Sequence, residues 1–166
     1  MQRSQQDAVY MKMALSEAAK ALQNGEVPIG CVIVWEDGRI IGSGYNTRET
    51  EKNALGHAEC NAITQACETM HGWRLHRATL YVTVEPCPMC AGAIMNARIP
   101  RVVYGCNDPK AGVYGSVFDL NAYAVNHKPC VVSGVLAEEA SVLLREFFAK
   151  LRERNLRKDK SQPPVK

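Results

Sequence analysis

A chain of 166 residues, 46% hydrophobic and 22% charged, can build one domain with a proper core and has an ordinary globular composition. No apolar run approaches the ~20 residues that span a bilayer, and the start, MQRSQQDAVYMKM, lacks the apolar stretch of a signal peptide, so membrane and secreted classes are set aside and a cytosolic location is expected. The net charge of +3 is a weak signal, but residues 150–166 hold seven basic side chains (Lys150, Arg152, Arg154, Arg157, Lys158, Lys160 and Lys166) against two acidic ones, Glu153 and Asp159; such a cluster suits a polyanion such as RNA, or is merely a solvated helix end.

Tyr10, Met13, Ala14, Ala18, Ala21 and Leu22 recur at helical spacing, and Gly25 follows as a stop. Ile29 to Trp35 is a continuous apolar run, Glu36-Asp37-Gly38 is a turn, and Arg39 to Tyr45 resumes as strand, which together predict a hairpin. A polar loop, Asn46 to Gly56, leads into a helix from about His57 to Thr69. Thr79 to Val84 has strand character, and Pro86-Cys87-Pro88 opens a helix that ends near Ala97; proline is tolerated in a first helical turn, where its missing N–H costs nothing. Arg101 to Gly105 and Cys130 to Leu136 are further strands, separated by a glycine-rich segment, 107–129, without a clear period. Glu138 to Arg154 is a last helix with Val142, Leu143, Phe147 and Leu151 on one side. Alternating strands and helices imply an α/β domain, a three-layer α/β/α sandwich around a mixed sheet of about five strands. The hairpin pair should be antiparallel and the later strands, joined through helices, parallel. The domain is expected to cover residues 1–157, with 158–166 a basic disordered tail.

Seven cysteines are present, an odd number, and a disulfide framework is not expected in a reducing compartment. Cys31, Cys60, Cys67, Cys106 and Cys130 read as small buried apolar residues. Cys87 and Cys90 differ: at i and i+3 they share a helix face, and a helix N-terminus favours thiolate. Two neighbouring thiolates need a cation. With the imidazole of His57, which opens the preceding helix, they make a His/Cys/Cys set that suits one zinc ion per chain and leaves a fourth position for water, the mark of a catalytic site. Glu59, two residues after His57, can converge on that water from a helix start and shuttle its proton to a substrate nitrogen. Two other readings stay open at this point. A structural zinc would recruit a fourth ligand from His71, His76 or His127, and Cys87 with Cys90 could be a redox pair.

The order H-x-E, then P-C-x-x-C, is a recognised signature of zinc nucleobase deaminases. Around it, Glu26-Val27-Pro28-Ile29-Gly30, Gly44-Tyr45-Asn46, Thr79-Leu80-Tyr81-Val82-Thr83, Arg98 to Gly105 and Asn126-His127 resemble the bacterial tRNA-specific adenosine deaminases over about residues 7 to 155. The resemblance implies a cytidine-deaminase-like sandwich, a homodimer, and conversion of adenosine to inosine at the wobble position of a tRNA anticodon. It also implies that Asn46 contacts the adenine nucleoside and that Asp108 and Lys110 touch flanking nucleotides or ribose. Phe147 and Phe148 match an aromatic pair near the RNA; core packing is the alternative for them, and a strand-ending turn is the alternative for Asn46. Two departures stand out: Gly56 replaces the alanine that many members place before the histidine, and Pro88 replaces valine, as in guanine deaminases. A small-molecule deaminase and a catalytically idle RNA-binding subunit are the rival functions.

Overall fold

The apolar run at Gly30–Trp35 forms strand β1, and its alternation explains the layering. Cys31 and Ile33 face one apolar layer, whereas Val32 and Val34 face another, as the two-residue period of a strand buried on both sides requires. The same switch occurs in β3 (Ala78–Val84), where Leu80 and Val82 oppose Tyr81, and in β4 (Arg101–Cys106), where Val102 and Tyr104 oppose Val103. With β2 (Ile40–Tyr45) and β5 (Cys130–Val132) they make a five-stranded sheet in the order β2-β1-β3-β4-β5. The β1–β2 and β1–β3 pairs are antiparallel; the β3–β4 and β4–β5 pairs are parallel. The mixed α/β sandwich expected from the sequence is therefore present. The computed structural model describes residues 2–161, with side chains from Arg3 to Arg157.

Helices cover both faces. Helix α2 (Ala58–Thr69) lays Ala58, Ala62 and Ala66 on the sheet beside Ala91 and Ile94 of α3 (Pro88–Asn96). On the other face α1 (Gln2–Gln23) contributes Met11 and Ala14, and α4 (Ala137–Ser161) contributes Ala140. The seating of α2 is set by Gly42 and Gly44 in β2. A Cβ at Gly44 would lie 2.6 Å from the Ala58 carbonyl oxygen and 2.7 Å from the Ala62 nitrogen, and one at Gly42 would strike the Ala62 carbonyl. Only glycine lets the helix backbone approach this closely, and this approach fixes where the first turn of α2 points.

The far end of the sheet holds an ion pair. Arg101 donates to both carboxylate oxygens of Asp7, at 2.9 and 2.7 Å, and Tyr81 donates to the same carboxylate at 3.0 Å. The Asp7 and Arg101 side chains are only 7% and 13% exposed. Burial alone would raise the Asp7 pKa, but the bonds from Arg101 and Tyr81 outweigh it and hold the carboxyl below its ordinary value of 3.8. A depressed folded pKa stabilises the native state above 3.8, and the gain is lost as pH falls through the folded value. Asp7→Asn is expected to cost about 3 kcal/mol at neutral pH, because it strands a buried guanidinium. The deficit should shrink below about pH 4, and urea titrations at pH 7 and at pH 3 check both parts.

Three expectations are corrected. β5 stops at Val132, not Leu136, because Gly134 (φ 83°) and Leu136 (φ 52°) take left-handed backbone that no strand sustains. Gly134 and Val135 still donate to the Gly105 and Tyr104 carbonyls at 3.1 and 3.2 Å. The final helix runs past Arg154 to Ser161, since nothing in that polar stretch breaks a helix. The tail expected at 158–166 lies outside the described residues apart from this helical backbone. Cys130 is exposed, because β5 is an edge strand, and Cys60 and Cys67 are half-buried.

Candidate active site

His57 and Cys87 occupy equivalent places: each is the extended residue that precedes a helix, with φ −85°, ψ 150° and φ −78°, ψ 172° respectively. The His57 carbonyl accepts the Asn61 N–H at 3.0 Å and the Cys87 carbonyl accepts the Ala91 N–H at 2.9 Å, each the first bond of its helix. Pro88 sits in the first turn of α3, where its fixed φ suits a helix start. Both helices begin beyond the same end of the sheet, β3 leading to Cys87 and the Asn46–Gly56 loop leading to His57. Thr47 and Asn61 brace that loop: Asn61 Nδ2 donates to the Tyr45 carbonyl at 2.9 Å and to Thr47 Oγ1 at 3.1 Å. A Cβ at Gly56 would lie 2.9 Å from Thr47 Oγ1, so a larger residue before the histidine would crowd that hydroxyl.

The two helix starts bring His57 Nδ1 within 3.7 Å of Cys87 Sγ and 3.5 Å of Cys90 Sγ. All three ligand atoms lie within 4.8 Å of one another. Bonds of about 2.3 Å to sulfur and about 2.05 Å to nitrogen, at a tetrahedral angle, put N and S roughly 3.6 Å apart, so the set fits a tetrahedral metal. Among the described residues no fourth ligand joins it. His71, His76 and His127 all stay outside the group; His127 bonds to the Ile99 carbonyl at 2.7 Å and His76 packs edge-on to Trp35, which leaves a four-ligand structural site without support among the described residues. All seven cysteines are free.

The charges are arranged for a cation. The Cys90 thiol and the His57 ring both bond to Cys87 and, against the opposing effect of burial, lower its pKa to about 4. The contact with Cys87 raises the His57 pKa, and the contacts with Cys60 and Cys87 push the Cys90 thiol up. Two thiols and an imidazole that perturb one another this strongly form a donor set that a cation would satisfy, displacing the protons they hold. Glu59 lies against it, 4% exposed. Burial, aided by the Cys87 charge, pushes its carboxyl up to about 7, although its own backbone N–H and His57 pull the other way. A carboxyl poised there can both take and give a proton near neutral pH.

A cavity of about 190 Å³ opens on Glu59 and His57, walled by Val27, Ile29, Asn46, Arg48 and Ala58. Five of the residues singled out in the sequence, His57, Glu59, Cys87, Cys90 and Asn46, thus come together. Asp108, Lys110, Phe147 and Phe148 do not line this cavity; the two phenylalanines pair edge-on, centroids 5.3 Å apart, on α4. Glu26 and Glu85 carry structural roles that the sequence reading did not assign. Glu26, wholly buried, accepts the Thr50 N–H at 2.6 Å, the Thr50 hydroxyl at 2.9 Å and Asn46 Nδ2 at 3.4 Å, and so holds the pocket loop. Periodicity carries no signal for a buried carboxylate whose partners lie twenty or more residues away.

A His-x-Glu and a Cys-x-x-Cys helix start that meet at one end of a mixed sheet define a nucleobase deaminase. Residues 5–152 match the model of the MafB19-like deaminase family. The tRNA-specific adenosine deaminase of Bacillus subtilis (strain 168) is 50% identical over 150 residues, 90% of this chain and 92% of that protein. A solved structure from a study of A-to-I editing by tRNA deaminases at the wobble position superposes with a TM-score of 0.74 at 42% identity, covering 81% of this chain and 97% of that one. A guanine deaminase from Bacillus subtilis fits less well, with a TM-score of 0.58 at 36% identity, covering 74% and 77%. The chain belongs to the deaminase family and, within it, to the tRNA-specific adenosine deaminases.

Proposed function

We propose that the protein converts adenosine to inosine at the wobble position of tRNA anticodons and releases ammonia, with one zinc held by His57, Cys87 and Cys90 and with Glu59 as the proton shuttle. The observation that carries this reading is the three-ligand cluster at tetrahedral spacing with a buried carboxyl beside it on the wall of one cavity. Zinc, when bound, supplies Lewis-acid activation of a water molecule. The chain's own groups do the rest. Glu59 takes one proton of the water as its oxygen bonds to C6 of adenine, and passes that proton to N1. Glu59 then carries the remaining hydroxyl proton to the amino nitrogen, the C6–N bond breaks, and ammonia leaves. Asn46, tethered to Glu26, orients the nucleoside at the mouth. The base must leave its stack to enter the cavity, which is easier from an unpaired anticodon loop than from a duplex.

Exposed Lys150, Arg152, Arg154 and Arg157 run along α4 beyond Phe147 and Phe148, a basic strip that suits phosphate contacts, while Asp108 and Lys110 approach the flanking nucleotides. No helix among the described residues is long and apolar enough to cross a membrane; a tRNA substrate supports a cytoplasmic location. Incubation with a tRNA carrying adenosine at the wobble position, with free guanine and with cytidine tests the reading. Inosine alone is the expected product; xanthine or uridine in its place overturns it.

Leu55, Ile63, Pro88 and Met89 surround a cleft of about 620 Å³ between α2 and α3, and Leu55 is 61% exposed. This face supports a homodimer. Sedimentation at micromolar concentration should give about twice the chain mass of 18.3 kDa. A mass that stays at the single-chain value across that range rejects the dimer.

A further inference from the structure

Glu85, two residues before Cys87, takes no part in the chemistry just described, yet it is 2% exposed. It accepts the N–H groups of Asp108 at 3.1 Å, Tyr114 at 2.8 Å and Ser116 at 3.1 Å, and it also accepts the Ser116 hydroxyl. All four donors come from one stretch, 108–116, which has only an isolated bridge, Tyr114 to Asp119, as regular pairing. A Cβ at Gly112 would fall on the Glu85 carboxylate, so the loop wraps the anion as closely as backbone allows. Beside it the Val113 N–H donates to the Pro86 carbonyl at 3.1 Å. Asp108 folds the near end of the loop: its carboxylate accepts the Lys110 N–H at 2.9 Å and the Ala111 N–H at 3.2 Å.

Bonds to an ionised acceptor are the strong ones, and a buried carboxylate satisfied by a single segment holds that segment in one conformation. Removing an acceptor oxygen would leave backbone donors unpaired, and the loop would open to find water. The loop is bonded to the turn that presents Cys87, so any contact it makes with substrate is registered against the reacting base.

We propose that Glu85 is a positioning residue for RNA: it clamps 108–116 onto the Cys87 turn, so that Asp108 and Lys110 are held preformed against that turn for the nucleotides that flank the target adenosine. The inference rests on the tRNA deaminase reading. A rigid loop makes its contacts without an ordering cost at the moment of binding. A loosened one makes the same contacts at lower affinity, while the chemistry at Glu59 is untouched.

The test uses the full chain with its metal, an anticodon stem-loop RNA with wobble adenosine, and three variants, Glu85→Gln, Ser116→Ala and Gly112→Ala. In Glu85→Gln, KM should rise about tenfold and kcat should stay within about threefold. Ser116→Ala should show a smaller rise in KM, and Gly112→Ala should reproduce the effect from the other side of the contact. Metal content should be unchanged in all three. Amide hydrogen exchange should quicken at Tyr114 and Ser116 but not in α2 or α3. Quickened exchange with an unaltered KM overturns the proposal, because the loop's order would not matter to substrate. Joint loss of metal and kcat also overturns it, by making Glu85 a support of the metal turn. If Glu85→Gln does not fold, the other two variants decide by the same readouts. Failure of the deaminase reading is seen separately, as wild-type protein that makes no inosine although exchange still reports the clamp.

Discussion

Cys87→Ala protein is expected to purify with almost no zinc and no measurable deamination, and the wild type with about one zinc per chain. Cys87 sits where two effects combine. It is the residue from which α3 starts, and it is the most acidic thiol of the cluster, with a pKa of about 4. Without it the remaining set is one imidazole and one thiol, too few to hold the ion against dilution. The ligands also join two helix starts, His57 and Cys87 being 30 residues apart in sequence, so loss of the ion should lower the melting temperature and chelation of wild-type protein should reproduce the shift. Elemental analysis and a thermal melt, run on the same preparations, measure both. Full metal retention in a His57→Ala, Cys87→Ala double variant would end the assignment.

Glu59→Gln should keep its zinc and its fold and lose turnover by about 10²–10⁴-fold, the usual contribution of a positioned acid–base group. The amide matches the carboxylate in shape but moves no proton. The loss should fall on kcat and kcat/KM together, because the group acts on the transition state and not on ground-state binding. Stability should not fall, since the change removes an ionisable group whose burial already raises its pKa to about 7. A variant with full metal and a loss under about tenfold would assign proton transfer to another group.

Much of this was readable from local chemistry. The turn Glu36-Asp37-Gly38 between two apolar runs set the antiparallel pair β1–β2, because a short connection permits nothing else. Cys87 and Cys90, three apart across a helix start, were expected to share a face of that helix; Cys87 is instead the extended residue before α3, and the two sulfurs still meet at His57. Glu59 needed a helix start to converge with His57, and His57 is indeed extended, not helical. Each of these relations lies within a few residues, where covalent geometry and backbone preference are decisive.

What only the tertiary structure decided is longer in range. Periodicity records that an element has an apolar side but not what covers it. The order β2-β1-β3-β4-β5, the seating of α2 on Gly42 and Gly44, and the exposure of Cys130 on an edge strand therefore had to be observed. The same holds for the two loop anchors. Glu26 reaches Thr50, and Glu85 reaches Ser116, and a lone glutamate in sequence reads as solvated surface. A buried carboxylate is stable only where donors from distant segments converge on it, and that convergence is made by the packed sheet, not by any neighbouring residue.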